Sequence, residues 1–251
     1  MSKLSRLILS SSDELIDALL KDSRATLVYR TGDICVIESA DRTLLESSQG
    51  SGRKWTRIFE EYHIANTDND KAQGVVVGAF FDWLADRYSN EIDSTKNLAC
   101  YETLYDIAKQ FLETPTKIAV LDVGCGPGTI LRSRVACAAQ VLVGYDISEV
   151  AAKAAISAGM TVMSREQLLA GPARFDVALS AYTMHYACDL AETLEGVQCN
   201  MKPGGVWALN FHKGIGLDAF LTCLGSSALE LVGQVSHPSF GPIVAVKMGC
   251  T

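Results

Sequence analysis

A ten-residue run, Val120-Leu121-Asp122-Val123-Gly124-Cys125-Gly126-Pro127-Gly128-Thr129, constrains this chain more than any other feature. It follows an apolar stretch that reads as a strand, Ile118 to Val123, and leads into a helical stretch. Glycines there let the backbone turn sharply and come within contact distance of a ligand, while the helix start beyond presents free N–H groups. A second strand, Val141 to Tyr145, runs into Asp146, which stands 20 residues beyond Gly126. At that spacing an acidic side chain at a strand tip can grip a ribose diol. Either feature alone reads as structural punctuation; the two in register point to a nucleoside. The glycines run G-x-G-x-G and not the G-x-G-x-x-G of the pyrophosphate fingerprint, so a single nucleoside-type cofactor fits better than a dinucleotide.

From Lys117 onward, short apolar runs alternate with helical stretches, the pattern of a parallel sheet covered by crossover helices. The expected strands are Ile118 to Val123, Val141 to Tyr145, Thr161 to Met163, Phe175 to Ser180 and Val206 to Phe211. Leu229 to Val235 and Ile243 to Met248 are joined by Ser236 to Pro242, too few residues for a crossover helix, so they should pair antiparallel. The first 116 residues read differently. Ser11 to Glu14 suggests a capping box opening a first helix with Leu15, Ile16, Leu19 and Leu20 at helical spacing. A hairpin, Ala25 to Arg30 and Ile34 to Ser39, turns at Thr31-Gly32-Asp33. Ser47 to Gly52 and Asn66 to Asp70 are polar loops around an aromatic segment with Trp55, Phe59, Tyr62 and His63. Val75 to Tyr88 is amphipathic, and a further helix is expected over Leu98 to Leu112, ended by Pro115. The expectation is an α/β chain, with an α+β cap over 1–116 and a cofactor-binding core over 117–251.

The 251 residues carry 22 basic against 29 acidic side chains, a formal charge of −7 and a pI near 5.1. That balance lacks the basic field that phosphate backbones and anionic membranes require, which argues against a nucleic-acid partner. The apolar Leu4 to Leu20 is broken by Ser10 to Glu14, so neither a membrane span nor a signal peptide is expected. Eight cysteines without a C-x-x-C pair read as reduced thiols in a cytoplasm, with no zinc or other metal site.

On these motifs the chain resembles the class I S-adenosylmethionine-dependent methyltransferases, of small-molecule type, in which LDVGCGPG is motif I and GYD supplies the ribose-binding acid. Phe175 to Ser180 (FDVALS) resembles the family's fourth strand and Met201 to Gly205 (MKPGG) its turn before the fifth. Phe81, Asp82, Ala85 and Tyr88 are similar to the F-D-x-x-A-x-x-Y cap helix. The resemblance implies a Rossmann-like seven-stranded sheet with an antiparallel C-terminal pair. It places S-adenosylmethionine with its methionine end near Asp122, Gly124, Cys125 and Gly126, its ribose on Asp146 and its adenine on Ile147. Many relatives have an Asp after the third strand to bond the adenine amine; Ser164 or Glu166 stands there instead. Ser180 at the fourth strand's end and Tyr88 complete the expected cofactor shell.

Methyl transfer costs mainly alignment, and a base is needed only when the acceptor is still protonated. His185, just past the fourth strand, and His212, at the end of the fifth, are the candidate bases, since ligands collect at the carboxyl ends of strands. Tyr182 is expected to face the acceptor, with Tyr62 and His63 as candidate lid residues. Cys125 reads as a space filler in the loop. No Asn-Pro-Pro-Tyr, the nucleobase-methylating motif, follows the fourth strand, so a small acceptor is favoured. Residues 1–75 are expected to shape the acceptor pocket or a homodimer interface. The competing reading is an S-adenosylmethionine-binding protein with a regulatory or scaffolding role.

Overall fold

Leu7, Ile8 and Leu9 are apolar on both faces, which suits a strand at the centre of a sheet. In the computed structural model, which describes residues 4–40, 54–58, 61–67, 69–85, 94–113 and 118–249, they form β1 (Ser5–Ser10). The chain therefore opens with a strand, ahead of the first helix α1 (Leu15–Leu20). The expected capping box is not made: the Ser11 hydroxyl donates to the Thr31 carbonyl, and it is Asp13 that accepts the Leu15 N–H, at 3.0 Å. The hairpin forms as read, β2 (Ala25–Arg30) with β3 (Ile34–Ser39). Two short strands, β4 (Trp55–Arg57) and β5 (Tyr62–Ala65), complete a five-stranded sheet of order β2-β3-β1-β5-β4, in which β1 and β5 run parallel. Ile16 and Leu19 of α1 pack on Leu7, Leu9, Cys35 and Ile37 of this sheet. Helix α2 (Asp70–Leu84) follows.

The chain divides into two units, Met1–Trp83 and Leu84–Thr251. The expected boundary at 116/117 thus moves upstream, because α3 (Ser94–Gln110) packs on strands of the second unit. The expectations over Ser47 to Gly52 and at Phe59, Tyr88, Pro115 and Cys250 fall outside the described residues.

In the second unit the elements are β6 (Ile118–Val123), α4 (Arg134–Ala138), β7 (Ala139–Tyr145), α5 (Glu149–Ser157), β8 (Thr161–Val162), α6 (Arg165–Ala170), β9 (Phe175–Ser180), α7 (Leu190–Asn200), β10 (Met201–Asn210), α8 (Leu217–Leu224), β11 (Leu229–His237) and β12 (Gly241–Met248). Seven strands lie in the order β11-β12-β10-β9-β6-β7-β8. β12 alone runs against its neighbours, antiparallel to both β10 and β11. Neighbouring residues of each strand enter opposite cores. Val120, Val177 and Ala208 pack with Cys100, Leu104 and Tyr105 of α3, while Leu121, Ala178 and Trp207 pack with Leu194 of α7 and Phe220 of α8. Each such fully buried aliphatic side chain contributes about 1.5–3 kcal/mol. The sheet reverses its winding between β6 and β9, and ligands in open α/β sheets bind outside the carboxyl ends at such a switch point.

Candidate active site

The loop leaving β6 is folded by its glycines. Gly124, Gly126 and Gly128 all adopt left-handed backbone, with φ of 83°, 52° and 82°, a region in which a Cβ is costly. The Gly124 and Cys125 N–H groups donate to the Tyr145 carbonyl at 2.7 and 3.0 Å, drawing the loop over the tip of β7. Asp146 then accepts from the Gly126 N–H at 2.7 Å and from the Ser148 N–H at 2.8 Å. The two motifs read from the sequence are thus one hydrogen-bonded structure, with the carboxylate plane fixed. Cys125 is 1% exposed, and a Cβ on Gly144 would lie 2.7 Å from its sulfur. Burial raises its thiol pKa, so it fills space beneath the loop and is no nucleophile.

Asp122, at the end of β6, is fully buried, and among the described residues its carboxyl group has no close polar neighbour beyond the Tyr101 hydroxyl of α3. Burial holds its pKa well above the ordinary carboxylate range; Asp146 pushes the same way, and the Tyr101 hydroxyl of α3 partly opposes. A buried carboxyl group in this state costs stability, which a cationic ligand would relieve. Ile147 is 49% exposed beside Asp146, an apolar face at the loop's edge.

Three expected cofactor contacts have structural roles. Ser164 caps α6 in a full capping box with Gln167, a serine–glutamine spacing that the sequence displays. Its hydroxyl also donates to Glu166 at 2.7 Å, which lowers the exposed Glu166 carboxyl. The Ser180 hydroxyl accepts the Trp207 indole N–H at 3.0 Å inside the core, which removes that side chain from the ligand face.

The acceptor side is built at the ends of β9 and β10. Tyr182 and Lys213 are the two non-glycine residues with left-handed backbone among those described, with φ of 58° and 56°. Such strain persists where surrounding bonds over-determine it, and it collects at functional sites. Here the Tyr182 N–H donates to Asn210 Oδ1 at 2.7 Å, and the Asn210 amide donates to the Phe240 carbonyl at 2.9 Å. That clamp presents the Tyr182 ring to His212 at 5.6 Å, Phe240 at 6.4 Å and His185 at 6.5 Å between centroids. The two imidazoles lie 6.1 Å apart, and the Lys96 ammonium of α3 sits 5.6 Å above the tyrosine ring. Among the described residues, neither nitrogen of His185, nor Nδ1 of His212, has a hydrogen-bond partner. Burial, then the neighbouring His212, pushes the His185 pKa down to about 3. Burial, then Lys96 and Lys213, lowers that of His212.

The two sides of the site touch. A Cβ on Gly124 would fall 2.2 Å from the Thr183 side chain, so the glycine loop and the start of the Tyr182–His185 turn are in close contact. Asn210, Thr183, Lys96 and Phe240 were not singled out from the sequence. Asn210 carried a readable signal, a polar residue closing the apolar run Val206 to Leu209.

Tyr62 and His63 belong to the first unit. Tyr62 is fully buried in its core: Arg6 donates to its hydroxyl at 2.6 Å and covers its ring at 5.0 Å, and Phe80 and Trp83 pack beside it. It is a packing residue and cannot serve as a lid. His63 is half-buried on β5, paired in register with Leu7.

A family model described as a methyltransferase domain matches residues 98–212, the stretch from α3 through the turn after β10. That match spans residues 98–212 alone, and the seven-stranded sheet shares its fold with S-adenosylmethionine-dependent methyltransferases. The chain is 28% identical over 171 residues to the mitochondrial arginine-hydroxylase NDUFAF5 of Rattus norvegicus, a match covering 66% of this chain and 46% of that protein. The chain thus spans about half the length of this curated relative. A TehB-like S-adenosylmethionine-dependent methyltransferase from Corynebacterium glutamicum superposes with a TM-score of 0.51 at 19% identity, covering 68% of this chain and 98% of that one. The [4+2]-cyclase SpnF superposes with a TM-score of 0.50 at 16% identity, over 70% of this chain and 96% of that one. The residues of the domain fit the family's cofactor, S-adenosylmethionine. Asp122 is a buried carboxyl short of partners, the glycine loop leaves room for close approach, and an exposed apolar side chain adjoins the Asp146 carboxylate. Among the described residues, no helix is long and apolar enough to cross a membrane, and no cluster of three or more His, Cys, Asp or Glu could hold a metal.

Proposed function

We propose that this chain transfers a methyl group from S-adenosylmethionine to an oxygen or nitrogen of a small acceptor. The observation that carries this reading is the contact between the cofactor loop and the acceptor turn through Gly124 and Thr183. This contact sets the strained Tyr182, the buried His185 and the half-buried His212 beside the cofactor loop. When bound, the cofactor supplies an electrophilic methyl on a sulfonium. Asp146 holds the ribose, Ile147 covers the adenine, and Asp122 with the Gly124–Gly126 backbone receives the methionine end. Tyr182 orients the acceptor. His212 takes the acceptor proton. His185, pushed to about 3, is too weak a base for that task and serves as a hydrogen-bonding partner.

The test is product mass after incubation with S-adenosylmethionine and pooled metabolites. A gain of one methyl, lost when His212 is replaced by alanine, supports the reading; retained rate in a His185→Ala/His212→Ala variant removes the base assignment. A second reading, binding of the cofactor without methyl transfer, is favoured by the names of two relatives, an arginine hydroxylase and a cyclase. It predicts S-adenosylmethionine binding with no methylated product.

A further inference from the structure

We propose that the acceptor group is an acidic hydroxyl, a phenol or an enol, which binds against Tyr182 between His185 and His212 and is held as its anion by the Lys96 ammonium. This rests on the methyltransferase reading above and narrows its acceptor from oxygen or nitrogen to oxygen. The geometry comes first. The Tyr182 ring, packed edge-to-face with Phe240 at 6.4 Å between centroids, gives a planar ring an aromatic surface to pack on. The His185 side chain is buried, 7% exposed, with neither nitrogen partnered among the described residues. A neutral imidazole has one donor and one acceptor nitrogen, and its donor N–H can bond the acceptor oxygen both as the hydroxyl and as the anion. His212, whose Nδ1 also lacks a described partner, lies on the other side, 6.1 Å from His185.

The sign of the field chooses the acceptor atom. Burial lowers the His212 pKa, and among the described residues the charges that act with it are the ammonium groups of Lys96, from α3, and Lys213, from its own turn. His185 feels burial and His212, and Tyr182 carries Lys96 over its face. A positive field favours an oxygen that ionises in place. It opposes an amine, which gains positive charge on nitrogen as it attacks. In the step assigned to these residues the acceptor O–H bond breaks, its proton passes to the neutral His212 imidazole, and the oxygen keeps the electron pair.

The probe is p-nitrophenol, whose anion and neutral form differ in absorbance, titrated with the full chain in the presence of S-adenosylhomocysteine. The apparent pKa of the bound probe should fall by at least one unit, meaning that the anion is held roughly tenfold or more tighter than the phenol. Lys96→Arg should keep the shift and Lys96→Met should lose it, with S-adenosylhomocysteine affinity unchanged in both by calorimetry. Benzylamine should displace the probe at least roughly tenfold less well than unlabelled phenol of matched size, by the same charge argument. No saturable binding, an unshifted or raised pKa, a shift that survives in Lys96→Met, or benzylamine competing equally would each overturn the proposal. Failure of S-adenosylhomocysteine to bind the unmodified protein would instead defeat the methyltransferase reading, and calorimetry reports that separately.

Discussion

Gly124→Ala tests whether the cofactor loop and the acceptor turn are packed as described. Two costs add. The residue sits at φ 83°, where a side chain costs roughly 1–2 kcal/mol. The new Cβ would lie 2.2 Å from Thr183 Cγ2 and Oγ1 and 2.7 Å from its Cβ. The last of these atoms is attached directly to the backbone, so no rotamer change of Thr183 relieves the clash, and overpacking of this kind costs about 1–3 kcal/mol. The variant should therefore lose about 2–5 kcal/mol in urea unfolding, together with S-adenosylhomocysteine affinity. Removing the Thr183 side chain supplies the internal control. Gly124→Ala/Thr183→Gly should recover the steric share, leaving the backbone share, so the two substitutions couple by about 1–3 kcal/mol in a double-mutant cycle. A Gly124→Ala protein within about 0.5 kcal/mol of the parent, or additive substitutions, would refute the packing on which the site rests.

Other outcomes follow from the buried groups. His185 is neutral in the folded protein down to about pH 3, whereas the unfolded chain protonates it near its ordinary value of 6.5. The unfolded state thus binds the proton first. The stability from this neutral burial is full above pH 6.5 and falls as the pH drops toward 3, by up to about 1.4 kcal/mol per unit. Urea melts between pH 7 and 5 should show this slope, and His185→Gln should flatten it; equal slopes would contradict the burial. Asp122, whose pKa burial raises well above the ordinary carboxylate range, should lose proton affinity when a cationic ligand arrives, so that binding is coupled to proton release. Calorimetry in buffers of different ionisation heat should then give different apparent enthalpies, a difference absent in Asp122→Asn. For the thiols, Ellman's reagent should label the exposed Cys137 in the native protein and leave Cys35, Cys100 and Cys125 unreacted until urea is added, because burial raises their pKa values. Native labelling of Cys125 would show the glycine loop to be open.

Where hydrophobic pattern and turn chemistry agree, the strands were legible in the sequence. Ile118–Val123 and Phe175–Ser180 form as read, and the C-terminal pair is antiparallel across a short turn. β7 and β10 begin upstream of their expected starts, in polar or glycine-rich residues that the sheet pairs regardless of propensity. The first unit was harder. β1 is central and its middle, Leu7-Ile8-Leu9, is a continuous apolar run with no alternation to distinguish it from a helix, and β4 and β5 are three and four residues long. Such short strands are recruited by tertiary pairing, which leaves no local signal. In the site, Gly126 and Asp146 were legible because their bond depends on a fixed spacing. The left-handed Tyr182, its Asn210 clamp and the approach of Thr183 to Gly124 join residues far apart in the chain, so their arrangement follows from the sheet and not from any one motif. Ser164 misled through its place after the third strand, although its spacing to Gln167 declared a helix cap.

The central claim is that the glycine loop and Asp146 hold S-adenosylmethionine. Calorimetric titration with S-adenosylmethionine, S-adenosylhomocysteine and NAD, on the parent protein and on Asp146→Ala, tests it most directly. The account predicts saturable binding of the first two, none of NAD, and at least a roughly tenfold loss in the variant, since about 1.4 kcal/mol corresponds to each tenfold in affinity. Binding of NAD alone, or S-adenosylmethionine affinity unchanged in Asp146→Ala, would contradict it.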